Sequence, residues 1–434
     1  MTDADANGAD ASGPDVRGAD PDQTEPRLVA VPRASVNGPI TDPAALVDAV
    51  TTLAAGSGPL AVDAERASGY RYSQRAYLIQ LARAGAGIVL IDPIAVPLLD
   101  LLQEALGDVE WVLHAASQDL GCLREVGLDP QRLFDTETAG RLLGLERVSL
   151  SAMLETFLGV RLEKGYSAAD WSTRPLPSDW LVYAALDVDL LVELRDAVAA
   201  ELDRTGKRAW AEQEFAATLA APPAAARVDP WRRTSGIHQL RSRRQLAMVR
   251  AMWNARDEMA RARDIAPGRI LPDSAVVAAV RADPSSPAAL SQLPVFRGPR
   301  QRRSVPRWFS VLQAARTLPD SELPSPAPRG ETIPAPSRWR ERDPEAAARL
   351  AAVRAVVSAL AGVHSVQAQN LLAADVVRRL SWQPPPALDD ASVAAALADL
   401  GARPWQIELC ALGLATALRE LAEPLDPELA EDDA

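Results

Sequence analysis

The sequence predicts an α/β domain with a mixed sheet, followed by two small all-α domains. Short apolar runs separated by turn-forming residues occur in the first half of the chain, and alternating helical and strand patterns follow them. After about residue 215 the strand pattern ends and only helical periodicity continues. The length of 434 residues is that of two or three domains, which agrees with this division.

The first predicted domain covers residues 39–215. Three consecutive strands are predicted by short apolar runs, namely GPLAVDAE (58–65), AYLIQLA (76–82) and GIVLIDP (87–93). Helical and strand spacings then alternate through PLLDLLQEALG, EWVLHA, SQDLGCLREVG, LFDTE and SLSAMLETFLG. A meander that continues into alternating helices and strands is typical of an α/β domain.

Changes in composition mark the other predicted boundaries. Residues 1–38 are rich in Asp, Ala, Gly and Pro, so we expect a disordered acidic tail. A helical pattern opens the second domain, with these residues near one face: Leu246, Val249, Trp253 and Ala260. The predicted segments after the α/β domain are a linker (216–235), a helical domain (236–298), a linker rich in Pro and Arg (299–343), a second helical domain (344–424) and an acidic tail (425–434).

Composition argues against a membrane protein and against a soft-metal site. No window of about 20 uncharged apolar residues occurs, so we expect no membrane residence. The acidic start MTDADANGADASGPD lacks the pattern of a secretion signal, so we expect a cytoplasmic protein. Cys122 and Cys410 lie far apart and the chain has three histidines, which argues against thiolate or imidazole ligands. Any metal is therefore expected to be a hard cation bound by carboxylates.

Charge is distributed unevenly along the chain. The net charge is −12, yet residues 231–307 contain 16 Arg and 5 Asp or Glu, a local balance of +11. A basic segment in an acidic protein indicates an anionic partner, and arginine pairs well with phosphate. One interpretation of Arg241, Arg243 and Arg244 is contact with an RNA backbone, and it is favoured by the motif resemblance described below. The alternative is a solvated helix surface followed by a linker rich in arginine.

Four acidic residues stand where a divalent cation could bind. Asp63 and Glu65 lie two residues apart on a predicted strand, so alternation places both carboxylates on one face. Asp119 stands where a strand ends and a helix begins, and Asp187 follows Tyr183 by one helical turn. Taken singly, these positions also fit a solvated strand edge or a helix start. An Asp on an otherwise apolar helical stripe is nevertheless unexpected, because buried charge is costly.

The segments that contain these residues resemble a known enzyme superfamily. The resemblance is carried by VDAE, HAASQDL and YAALD, which are similar to the three exonuclease motifs of the DEDD superfamily in its Tyr-x-x-x-Asp subgroup. Further stretches resemble the bacterial ribonuclease D family, namely YLIQLA (77–82), FDTETAGRLLG (134–144) and KGYSAADWSTRPLP (164–177). Residues 236–298 resemble the HRDC domain, and residues 344–424 fall where that family has a second, more divergent HRDC-like domain.

This resemblance implies an RNase H-like α/β fold and a metal-dependent 3′–5′ exoribonuclease that releases nucleoside 5′-monophosphates. It implies that two divalent ions, Mg²⁺ or Mn²⁺, are bound by Asp63, Glu65, Asp119 and Asp187. Such a pair, about 3.5–4 Å apart, activates water and stabilises the leaving oxygen. Tyr183 is implied to orient the attacking water. The implied partner is RNA with a free 3′ end, such as tRNA precursors and other structured RNAs, and no obligatory protein partner is evident.

The chain also departs from the family pattern. The family more commonly has Thr between the first Asp and Glu and an aromatic residue after the Glu, where this chain has Ala64 and Arg66. Neither replaces a metal ligand, but the change could alter how the terminal nucleotide is held. Within DWSTRPL, Trp171 and Arg174 either pack the loop or contact RNA. We expect His114 to be structural.

Two other functions are compatible with the motifs. The first is a DNA-directed 3′–5′ exonuclease, because the carboxylates themselves do not select the sugar. The second is an inactive RNA-binding module, against which the presence of all four carboxylates and the tyrosine argues.

Overall fold

The computed structural model of the chain describes residues 25–97, 99–163, 165–223, 225–325 and 333–422. The predicted acidic tail at residues 425–434 lies outside these described residues, as do residues 1–24 of the predicted N-terminal tail. Within the described residues, a mixed sheet packed with helices is followed by two helical domains. This arrangement confirms the predicted fold class.

The strands form one large sheet and one small one. They are, in chain order, β1 (Arg27–Val29), β2 (Val36–Ile40), β3 (Ser57–Arg66), β4 (Ala76–Ala84), β5 (Gly87–Ile91), β6 (Glu110–Leu113), β7 (Arg132–Asp135) and β8 (Val160–Leu162). The large sheet has the order β2–β5–β4–β3–β6–β7. In it β3 pairs antiparallel with β4 and parallel with β6. The predicted meander is confirmed as β3, β4 and β5.

The first described residues correct the predicted domain boundary at residue 39. β1 pairs in parallel with β8, and β2 pairs in parallel with β5. The N–H of Arg27 donates to the carbonyl of Gly159 at 2.9 Å, and Val29 is buried. Residues 25–38 therefore include strands rather than only a disordered tail. Their partners lie far along the chain, and a judgement from local composition does not detect such pairing.

Eight α-helices of the first domain lie within the described residues. They are α1 (Pro43–Ala55), α2 (Asp100–Leu106), α3 (Leu120–Arg124), α4 (Thr136–Leu142), α5 (Leu150–Leu158), α6 (Ser178–Asp189), α7 (Leu191–Arg204) and α8 (Arg208–Ala220). Local signals define several ends: Asp42 caps α1, which begins with a proline, and Ser149 caps α5. Since α8 continues to Ala220, the linker predicted from residue 216 begins too early.

The first helical domain has its own core. Its helices are α9 (Arg243–Arg263), α10 (Pro267–Ile270), α11 (Asp273–Ala282), α12 (Pro287–Ser291) and α13 (Pro299–Arg316). The existence of α13 corrects the linker predicted over residues 299–343. Val305, Trp308 and Leu312 are spaced for one helical face, and all three are buried. The arginines around them and the internal Pro306 make this pattern difficult to recognise in the sequence.

The second helical domain shares a core with the α/β domain. Its helices are α14 (Trp339–Arg342), α15 (Pro344–Val363), α16 (Ala368–Leu371), α17 (Ala374–Trp382), α18 (Asp390–Asp399) and α19 (Pro404–Ala422). Trp405 of α19 stacks on Trp210 of α8 with ring centroids 4.8 Å apart. The ammonium of Lys207 donates to the carbonyls of Leu142 and Ser365 at 2.8 and 3.0 Å. These contacts join the last domain to the first.

One helix within the described residues, α15, is long and apolar enough to cross a membrane by length and composition. In this fold its buried residues, among them Leu350, Val353 and Val357, belong to the core that the last domain shares with the α/β domain. A core helix of a folded domain has the same composition, so α15 carries no argument for a membrane span.

The loop after β3 attaches the first helical domain to the α/β domain. The hydroxyl of Tyr72 donates to Asp257 of α9 at 3.1 Å, and the N–H groups of Tyr72 and Ser73 donate to Asp264 at 3.1 and 2.8 Å. The N–H of Ala266 donates to the carbonyl of Tyr70 at 2.9 Å. The chain leaving β3 is thereby held against the end of α9.

Candidate active site

Two elements bring three carboxylates together. β3 supplies Asp63 and Glu65 at its end, and α6, which packs over the sheet, supplies Asp187. One oxygen from each of the three carboxylates can be chosen so that all three lie within 4.8 Å of one another. The alternation argued from the sequence therefore places both strand carboxylates on the side that faces α6.

The fourth acid, Asp119, lies beside this group and is tied to a cation. It is buried at the start of α3, and its Oδ1 lies 3.4 Å from Nη2 of Arg66. The turn that leads to it depends on Asp135 at the end of β7. The carboxylate of Asp135 accepts the N–H groups of Ala115 and Ala116 at 3.0 and 3.2 Å. Ala115 has φ of 62°, so these bonds stabilise a strained turn.

Asp135 was not predicted as a site residue, although it lies in the stretch FDTETAGRLLG. It is almost completely buried and also caps α4 by accepting the N–H of Glu137 at 3.0 Å. A sequence search for buried acids at strand ends could have selected it. Next to it, Nδ1 of His114 lies 2.9 Å from Oγ1 of Thr136, and burial lowers the pKa of His114. The imidazole is therefore neutral at pH 7 and held by its neighbours, as expected.

Repulsion and burial dominate the electrostatics of the site. Burial, followed by the charges of Asp63, Asp187 and Asp119, raises the pKa of Glu65 to about 10. Burial and the charge of Asp63 raise the pKa of Asp119 to about 8. The pKa values of Asp63 and Asp187 are also raised, chiefly by burial. Clustered carboxylates repel one another, and a bound cation would offset this repulsion. Hard divalent cations prefer oxygen ligands of this kind. The residues present therefore fit a divalent metal.

Tyr183 is positioned beside these acids. Its hydroxyl is hydrogen-bonded to Asp187, and burial, followed by the charge of Asp187, raises its pKa. The ring packs near Trp171 and meets Tyr166 edge-on, with centroids 6.4 and 6.0 Å away. A Cβ on Gly165 would lie 3.0 Å from the Tyr183 ring, a tight contact, so the glycine packs closely against this ring. The phenol is thus protonated at neutral pH and held rigidly.

The DWSTRPL loop has an interior role. Trp171 is fully buried, so it cannot contact RNA, and this corrects the predicted contact. The guanidinium of Arg174 donates to both oxygens of Asp92 at 2.6 and 2.9 Å, and to the carbonyls of Trp171 and Tyr77 at 2.8 Å. These bonds give Arg174 a role in the packing of the loop, and its RNA contact stays a prediction.

Comparison with known proteins agrees with this site. A family model described as 3′–5′ exonuclease matches residues 38–203, an HRDC domain model matches residues 245–312, and a model described as 3′ to 5′ exonuclease C-terminal domain matches residues 332–418. Ribonuclease D of Acidiphilium cryptum is 30% identical over 291 residues, which are 64% of this chain and 69% of that protein. Ribonuclease D of Escherichia coli K12 is 30% identical over 272 residues, covering 62% and 72%.

The chain belongs to the ribonuclease D family. Among solved structures, a protein from Bifidobacterium adolescentis is 40% identical with a TM-score of 0.83, covering 91% of this chain and all of that one. Escherichia coli RNase D is 25% identical with a TM-score of 0.65, covering 89% and 99%. Membership of the ribonuclease D family makes the protein a 3′–5′ exoribonuclease. The HRDC match extends to residue 312, which agrees with the inclusion of α13 in that domain.

Two of the three arginines predicted to contact the RNA backbone are also bonded to the protein itself. Arg243 donates to the carbonyls of Asp320 and Leu323 at 3.0 and 2.8 Å, and Arg244 pairs with the carboxylate of Asp320 at 2.8 Å. Both side chains therefore hold the segment after α13, and their phosphate contacts stay a prediction. The exposed side chain of Arg241 keeps that role as a prediction.

Other arginines line a cleft of about 640 Å³ between the loop after β3 and the first helical domain. The α/β side contributes Tyr70, Arg71 and Asp170, and the helical side includes Arg263, Arg269 and Arg303. The guanidinium of Arg269 lies 3.9 Å from the ring centroid of Tyr70. The charge asymmetry of the sequence indicated this region, but it could not show which arginines face the cleft.

Proposed function

We propose that this exoribonuclease hydrolyses RNA from the 3′ end in a reaction that requires two divalent metal ions, and that it releases nucleoside 5′-monophosphates. The observation that carries the proposal is the convergence of the Asp63, Glu65 and Asp187 carboxylates within 4.8 Å beside a protonated tyrosine. A phosphodiesterase of this class needs oxygen ligands for hard cations and a group that can orient water.

The residues have distinct roles in this proposal. Asp63, Glu65 and Asp187 would hold one divalent ion, and Asp119 would help to hold a second. Bound Mg²⁺ or Mn²⁺ would supply a nucleophile made from water at neutral pH and would stabilise the departing 3′-oxygen. Tyr183 keeps its proton and is anchored to Asp187, so its hydroxyl can orient a water molecule for attack. The contacts of the Tyr183 ring with Trp171 and Tyr166 support it in this position.

We further propose tRNA precursors and other structured RNAs as substrates. Escherichia coli RNase D is described as an exoribonuclease involved in structured RNA processing, which supports this choice. The arginine-lined cleft and the catalytic cavity are lined by the same stretch of chain, since Arg66 lines the cavity and Tyr70 and Arg71 line the cleft. Phosphates of a strand whose 3′ end lies in the cavity could therefore follow the cleft, with contacts that do not depend on sequence. We also propose a cytoplasmic location, where tRNA precursors would be available to the enzyme.

Matched RNA and DNA strands with a 5′ label test this function. We expect a ladder of shortened RNA and nucleoside 5′-monophosphates in Mg²⁺ or Mn²⁺, and none in EDTA. Faster hydrolysis of the DNA strand would replace the proposal by a DNA-directed exonuclease. RNA binding without products in either metal would favour the inactive RNA-binding module. Products that carry a 3′-phosphate would contradict the proposed chemistry.

A further inference from the structure

The geometry points to a substrate contact at the last residue of β3. We propose that the guanidinium of Arg66 binds a phosphate oxygen of the 3′-terminal nucleotide, which makes Arg66 a substrate-binding residue. The inference rests on the proposed exonuclease function of the carboxylate site. It adds to that function a cationic side chain that binds the 3′-terminal phosphate of the RNA.

A β-bulge lies beside Arg66 in the pairing of β3 with β4. Regular alternation would place Arg66 on the face of β3 opposite to Glu65. The register of β3 against β4 shifts at this point, since Glu65 lies opposite Leu78 and Arg66 lies opposite Ala76. Tyr77 therefore has no opposite residue in this ladder. The unpaired residue belongs to β4, and such a bulge increases the local twist of the strands. Arg66 lines the same cavity as the carboxylates.

Arg66 is the cation of this cavity. The cavity has a volume of about 320 Å³ and includes Asp63, Glu65, Asp119 and Asp187 in its lining. Among the described residues that line it, no other arginine and no lysine is present. The charge of Arg66 opposes the rise in the pKa values of Asp63, Glu65 and Asp119. An RNA 3′ end that enters this acidic cavity therefore meets positive charge from the protein at one side chain.

The ion pair with Asp119 leaves the guanidinium of Arg66 able to bind a ligand. Its Nη2 lies 3.4 Å from Oδ1 of Asp119, whereas a charge-assisted hydrogen bond spans about 2.7–2.9 Å. Arg174, by contrast, donates to both oxygens of Asp92 at 2.6 and 2.9 Å. The Arg66 side chain is 27% exposed, so a ligand in the cavity can reach it. A loosely paired, reachable guanidinium is suited to bidentate contact with a phosphate.

Two binding measurements test the proposal on the full chain. The first is fluorescence anisotropy of a labelled RNA tetranucleotide in EDTA, where hydrolysis does not proceed. We expect Arg66→Gln to weaken this binding about tenfold, and Arg66→Lys to weaken it less because the charge remains. Arg75→Gln is the matched control, since Arg75 forms an ion pair of 3.5 Å with Asp264 near the same strand ends but does not line the cavity. We expect that control to bind like the wild type.

The second measurement separates substrate binding from a structural role. In Mn²⁺ we expect Arg66→Gln to raise KM for the tetranucleotide about tenfold with a smaller change in kcat. We also expect thermal titration to show Mn²⁺ binding at least as tight as in the wild type, because a positive charge beside Asp119 has been removed. Unchanged KM and unchanged binding in EDTA would overturn the proposal and leave Arg66 as the partner of Asp119 only. If the wild type itself did not hydrolyse RNA, the proposed function would fail instead.

Discussion

Removal of one carboxylate should stabilise the metal-free protein, and Glu65 is the residue to change. Its pKa is raised from an ordinary value of 4.5 to about 10 by burial and by the charges of Asp63, Asp187 and Asp119. Between these two values the folded protein holds a proton on Glu65 that the unfolded chain has already released. The free energy of unfolding therefore falls as the pH rises above about 4.5, and the fall ends near pH 10.

The size of this effect follows from the shift. Each pH unit between the two pKa values is worth about 1.4 kcal/mol, so the interval from pH 5 to pH 8 gives at most about 4 kcal/mol. Water and counterions in the open cavity reduce this, and we expect about 2–4 kcal/mol. At about 2 °C per kcal/mol, the wild type in EDTA should lose about 4–8 °C of Tm relative to Glu65→Gln over this interval.

Thermal unfolding at constant ionic strength measures this difference. The exposed Glu104 provides the matched control variant, Glu104→Gln, which should follow the wild type. Addition of Mg²⁺ at pH 8 should raise the Tm of the wild type more than that of Glu65→Gln, because the variant lacks one ligand. Parallel Tm curves for wild type and Glu65→Gln in EDTA from pH 5 to pH 8 would refute the electrostatic account of the site.

Three further predictions concern catalysis and binding. Asp63→Asn or Asp187→Asn should abolish hydrolysis while the fold and RNA binding persist, as measured by labelled-RNA assays and circular dichroism; full activity in either would exclude the metal mechanism. Tyr183→Phe should lower kcat by about 100-fold and leave metal affinity nearly unchanged; loss of metal binding equal to that of Asp187→Asn would contradict the water-orienting role. Arg263→Ala combined with Arg303→Ala should weaken binding of folded RNA and reduce the slope of log K against log salt by about 1.4–1.8. The control, Arg340→Ala combined with Arg342→Ala in α14, should leave the binding and the slope unchanged. An unchanged slope in the cleft variant would remove the cleft from the RNA path.

The carboxylates could be predicted because local periodicity specifies where they point. A strand of period two fixes the common face of Asp63 and Glu65, and one helical turn fixes that of Tyr183 and Asp187. Alternation alone could not predict that the strand carboxylates lie close to Asp187, because this distance depends on how α6 packs over the sheet. The motif resemblance provided that information.

The features that escaped prediction depend on contacts between distant parts of the chain. β1 exists because β8, more than 100 residues later, completes its hydrogen bonds. The burial of Trp308 in α13 depends on the core of the first helical domain, and the arginine-rich sequence around it resembles a linker. Arg66 was noted only as a departure from the family pattern. Its place in the lining of the cavity depends on how β3, α3 and α6 pack together, which local pattern does not specify.

These long-range contacts also change how the two helical domains relate to catalysis. The last domain shares its core with the α/β domain, and Trp405 stacks on Trp210 within that core. The two domains therefore form one packed unit. In the first helical domain, Asp264 and Asp257 accept hydrogen bonds from the loop that follows β3. This loop begins a few residues after the carboxylates of the metal site. Tyr70 and Arg71 of the same loop line the arginine-lined cleft. One short segment of chain, from Arg66 to Ser73, therefore joins the strand of the carboxylates to the domain that forms the other side of the cleft.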